Sequence, residues 1–126
     1  AAHVLIATPG RLQDLIERRH RASCEAAIEL GVPIATGTDT GEVGVTSDLV
    51  WREMVLLRDH GASPMAAIRA ATSSAARLLG LDGEVGSVEP GKRADLVLVD
   101  GDPLADLRRL AAPRLVMQGG LVVSRA

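Results

Sequence analysis

One carboxylate stands out for its setting. Asp39 follows the short apolar run 32–36 (VPIAT) and sits between Gly37 and Gly41, flanked by Thr38 and Thr40. In α/β proteins, ligands and catalytic groups gather at the carboxyl ends of parallel strands. An Asp there can ligate a hard or borderline metal ion, or accept a proton from a metal-bound water. Asp beside Gly is also a common turn or helix-capping residue, and the local pattern by itself favours that role. His3, His20 and His60 show neither His-x-His nor His-x-x-x-His spacing. His20, within RRHR, reads as part of a solvated helical face. His60, just before Gly61, sits where a helix end favours a cation. His3 opens a strand and stays open as a ligand. Cys24 falls at core-facing helical spacing and reads as a small apolar residue with no His partner for nucleophilic work. The loop 37–41 lacks the Lys of a P-loop and the spacing of a dinucleotide fingerprint. Arg18, Arg19 and Arg21 form a basic patch with no aromatic to stack bases. Glu53 reads as an exposed helical residue.

The elements that must position these groups follow from periodicity. Residues 3–7 (HVLIA) predict a buried strand and 8–10 (TPG) a turn. Helical spacing begins at Arg11, with Leu12, Leu15 and Ile16 on one face and Cys24, Ala27 and Ile28 on the next. It is one helix, or two broken near His20, capped at Gly31. A second strand, 32–36, leads into the Asp39 loop. Ser47 or Asp48 caps the next helix, whose stripe of Leu49, Val50, Met54 and Leu57 runs to His60 and stops at Gly61. Ser63 then Pro64 is a start signal for a helix through Leu79, ended by Gly80. From Val85 the pattern alternates. Strands are expected at 85–88 and 94–99, a helical turn at 104–110, and a hairpin of 115–118 and 121–124 across Gly119 and Gly120.

Composition bounds the function. The 126 residues are about the size of one domain, and 47% are hydrophobic, enough for a core. Fourteen basic against sixteen acidic residues give a net charge of −2, which argues against a dedicated nucleic-acid or anionic-membrane binder. The single Cys24 excludes an internal disulfide. Trp51 is the sole aromatic, so Leu, Val, Ile and Ala must build the core. A chain that starts mid-pattern and lacks large core residues reads as one end of something larger.

Three stretches carry a family resemblance. GVPIATGTDTG (31–41), HGASPMAAIRAATSSAARLLGL (60–81) and VGSVEPGKRADLVLVDGDPLADL (85–107) resemble, in the same order, the C-terminal part of the amidohydrolase superfamily, above all its imidazolonepropionase and prolidase-like members. The resemblance implies an α/β fold. Residues 1–81 would be the last strand-helix units of a (β/α) barrel, and residues 82–126 part of a flanking β-sandwich domain. It makes Asp39 the metal-site Asp of the last barrel strand, both metal ligand and catalytic residue. The implied cofactor is one or two divalent ions, zinc first, whose bound water becomes the nucleophile. Asp39 would hold that water and pass its proton to the leaving nitrogen. The substrate would be a small amide, cyclic amide or dipeptide, cleaved at a C–N bond.

The departures are as informative. There is no His-x-His and no identifiable ligand Lys, Glu or His pair. One carboxylate cannot hold a catalytic metal that needs three or more protein ligands, and two strands cannot close an eight-stranded barrel. The chain is therefore expected to be inactive alone, with a missing N-terminal segment or a homo-oligomer as partner, in the cytoplasm. No nucleic acid or membrane partner is expected. Two alternatives remain: a non-catalytic scaffold or interaction module, and a junction in which residues 4–17 (VLIATPGRLQDLIE) resemble the RNA-contacting T-P-G-R-L segment of DEAD-box helicases.

Overall fold

A computed structural model of the chain describes residues 9–38 and 49–125, with side chains from residue 14 onward. Helix α1 spans Pro9–Glu29 without interruption, which settles the choice between one helix and two. Pro9 opens it rather than a turn, because a proline costs no hydrogen bond at the first helical position. The expected strand at 3–7 lies outside the described residues.

Helix α2 (Val50–Asp59) buries Met54 and Leu57 on one face. Its N-cap is Leu49, with no side-chain cap bond, and the candidate caps Ser47 and Asp48 lie outside the described residues. Helix α3 (Pro64–Ala70) starts as its sequence requires: Ser63 Oγ accepts the Ala66 amide at 3.1 Å, with Pro64 in the first turn. The expected single helix to Leu79 divides, and α4 spans Ser73–Leu78.

The rest is a three-stranded antiparallel sheet in the order β1 (Leu96–Leu98), β2 (Leu115–Gln118), β3 (Leu121–Arg125). Gln118 pairs with Leu121 across Gly119 and Gly120, both at positive φ, as a tight two-residue hairpin requires. A 3-10 helix, Leu107–Ala111, links β1 to β2, and Asp106 caps it by accepting the Arg108 amide at 3.0 Å. The expected strand 94–99 is thus shorter than its apolar run.

Two expected strands are absent. Residues 32–36 and 85–88 carry no ladder in the described structure. A strand exists only through its neighbour's backbone, and neither run has one here. Val85 turns back on Leu81, its amide donating to that carbonyl at 3.0 Å. Gly86, at φ +92°, lies so close to α4 that a Cβ would stand 2.6 Å from Ala76 Cβ.

The core is small and aliphatic. Met54, Leu57, Ala67, Ala70 and Leu107 form it, with Cys24, Ile28, Ile34 and Trp51 packed at its edge. Leu107 therefore ties the C-terminal region to the helices. Among the described residues, no helix is long and apolar enough to cross a membrane.

Candidate functional site

The Asp39 loop is rooted in three contacts. Gly31, at φ +69°, ends α1 with its amide on the Ile28 carbonyl (3.1 Å), and the Val32 amide reaches back to Ala27 (2.9 Å). The Val32 bond is the six-to-one and the Gly31 bond the five-to-two closure of a glycine-capped helix, and together they send the chain off α1 in a defined direction. Ile34 then packs against the core. Finally the Thr36 amide donates to the Ala70 carbonyl at the end of α3, at 3.0 Å. Asp39 itself lies outside the described residues, as does His3.

A half-open cavity of about 320 Å³ borders this root. Val32, Ile34, Leu57 and Ala70 supply apolar wall, while Ser63, Arg69 and Ser74 supply polar groups.

A second groove, of about 430 Å³, lies between α1 and α2. It gathers His20, Cys24, Glu53 and His60, residues that sequence spacing keeps apart. Helical geometry explains the gathering: His20 and Cys24 share a face of α1, and Glu53 lies on α2 with His60 at that helix's C-terminal cap. Glu53 is half-buried there rather than exposed. Burial pushes the Cys24 thiol up, and the nearby Glu25 and Glu53 carboxylates push it the same way. A raised thiol stays protonated at neutral pH, the opposite of a nucleophile's requirement. Among the described residues, no three His, Cys, Asp or Glu side chains converge as a metal centre. The arginine patch is partly committed: Arg21 donates to Glu25 at 2.8 Å and to the Asp59 carbonyl at 3.4 Å.

The family model for the amidohydrolase family matches residues 9–123. The chain belongs to that family. An imidazolonepropionase of Picrophilus torridus is 34% identical over 85 residues, 68% of this chain and 22% of its own length. A candidate prolidase from Bifidobacterium longum shares the fold with a TM-score of 0.79 and 44% identity, over 83% of this chain and 26% of that structure. The Aspergillus niger ochratoxinase structure aligns with 99% of this chain and 29% of its own, at a TM-score of 0.76 and 27% identity. The chain thus spans about a fifth of the curated relative and about a quarter of the solved structures.

Residues 9–17 of the helicase-like segment fall inside both the amidohydrolase match and α1. The amidohydrolase superfamily is metal-dependent, yet the donors among this chain's described residues do not fit such an ion. Among the described residues, the segment that leads toward Asp39 is held between α1 and α3.

Gly31 caps α1 as its place in the sequence predicts. The Ala70 carbonyl, by contrast, leaves no signal in side-chain pattern.

Proposed function

We propose that these residues are the C-terminal part of a metal-dependent amidohydrolase that cleaves a C–N bond in a small amide, cyclic amide or dipeptide. The observation that carries this reading is the amidohydrolase match running through residues 9–123 in one order. The names of the relatives, an imidazolonepropionase, a candidate prolidase and an ochratoxinase, support the substrate class.

In this reading Asp39 is a metal ligand and the catalytic carboxylate. Its oxygen takes a proton from the attacking water and delivers it to the leaving nitrogen, a general acid–base role. The metal is divalent, zinc in our reading, one or two ions, with further ligands supplied by the rest of the polypeptide. Residues 1–81 then belong to a (β/α) barrel and 82–126 to a β-sandwich beside it. In this reading 32–36 carries no ladder among the described residues because its barrel neighbours belong to the rest of the polypeptide. The isolated 126-residue chain is accordingly inactive, and its partner is the remainder of the polypeptide.

The test is turnover by the complete polypeptide carrying Asp39→Asn, which keeps the side chain's shape and removes its basicity. We expect kcat to fall by about a hundredfold or more. Turnover near the unaltered level would refute the role of Asp39.

A further inference from the structure

Apolar spacing continues from Met65 to Leu79, yet α3 ends at Ala70 and α4 restarts at Ser73. The break opens at Ala71, whose amide goes to the Ile68 carbonyl at 3.1 Å, and Thr72 carries it on. The Thr72 Oγ1 donates to the Ile68 carbonyl at 2.8 Å, the acceptor that its own amide would take in a continuing α-helix. The Thr72 amide goes instead to Arg69, one residue nearer, at 3.1 Å. The Thr72 carbonyl then begins α4 by accepting the Ala76 amide at 2.8 Å. Gly86 presses on the same point: a Cβ there would stand 3.1 Å from both Thr72 O and Ser73 Cα.

The break has a consequence for the Ala70 carbonyl. In a continuous helix it would accept from Ser74; here it holds the Thr36 amide at 3.0 Å. Thr36 stands three residues before Asp39. We propose that Thr72 is a positioning residue: by holding the break open it frees the Ala70 carbonyl to clamp the segment that presents Asp39. The clamp stands on geometry alone, while its catalytic meaning rests on the functional reading of Asp39 given above.

Amide exchange in the 126-residue chain, read residue by residue by NMR, tests the clamp. In the unaltered chain the Thr36 amide should exchange more slowly than those of Ala35 and Gly37; equal rates would overturn the proposal without any variant. Thr72→Ala removes the hydroxyl and favours a continuous helix. It should speed Thr36 exchange roughly three- to tenfold, as expected for one lost hydrogen bond. Thr72→Ser should keep the original rate. An unchanged Thr36 rate in Thr72→Ala would overturn the clamp.

Kinetics of the complete polypeptide separate the two claims. Thr72→Ala should lower kcat by about ten- to a hundredfold with little change in KM, and Thr72→Ser should restore it. If Asp39→Asn abolishes turnover while Thr72→Ala leaves kcat intact, the positioning role fails and the function stands. If Asp39→Asn turns over normally, the functional reading fails and takes the positioning role with it, whatever Thr36 exchange shows.

Discussion

Met54, Leu57, Ala67 and Ala70 bury one another within residues 50–70, whereas no residue of β1, β2 or β3 is buried. The helices close their own backbone ladders and need only one shared apolar face. The sheet lacks such a face among the described residues, and Leu121 is 74% exposed. It is held instead by backbone pairing and by a few polar anchors. The Asp95 carboxylate accepts the Gly119 amide at 2.7 Å, and the Gly120 amide donates to the Ala94 carbonyl at 3.0 Å. One region is thus stabilised by burial, the other by directed bonds. Damage should act differently in each.

The largest effect is expected where the regions meet. Leu107, 1% exposed, comes from the C-terminal region but is buried in the helical core. Leu107→Ala should cost about 2–5 kcal/mol, and denaturant unfolding should show both regions weakened together. Were only the sheet's signals to weaken, Leu107 would not join them. Gly86→Ala is next. It places a Cβ against Ala76 and forces a side chain into positive φ, for roughly 1–3 kcal/mol. Ser63→Ala is smaller, about 1 kcal/mol, and should act within the helices while leaving the hairpin's amide exchange unaltered.

The smallest effect is electrostatic and confined to the sheet. The Gly119 amide, and after it the Arg93 guanidinium, hold the Asp95 carboxyl below the usual aspartate range. Because the folded value is depressed, its contribution is complete above the unfolded aspartate value, about 4. It is lost as pH falls through the folded value beneath that. An acid titration followed at the Gly119 amide should therefore show the hairpin loosening as Asp95 is protonated. Asp95→Asn should remove that pH dependence. Titration of the unaltered chain with no change at Gly119 would deny Asp95 its anchoring role.

The same contrast explains what was legible in the residues. The stop of α2 and the start of α3 were readable because Gly61, Ser63 and Pro64 act through their immediate neighbours. The hairpin was readable for the same reason, from Gly119 and Gly120. The apolar runs 32–36 and 85–88 looked like strands because composition reports strand preference, while a ladder needs a partner that local pattern does not contain. The α3–α4 break escaped because Thr72 fits the apolar stripe, and the backbone turn at Ala71 and Thr72 leaves no mark in residue type. The Asp39 loop showed a glycine-flanked carboxylate whose commonest role is a turn. Family resemblance, and not spacing, singled it out.

The central claim is that Asp39 faces a metal site at the end of the 32–38 segment. A crystal structure of the complete polypeptide, with its metal located by anomalous scattering, tests this most directly. The account predicts the Asp39 carboxylate bound to that ion and the Thr36 amide on the Ala70 carbonyl behind it. An Asp39 side chain folded back to cap its own loop, with the metal held elsewhere, would contradict it.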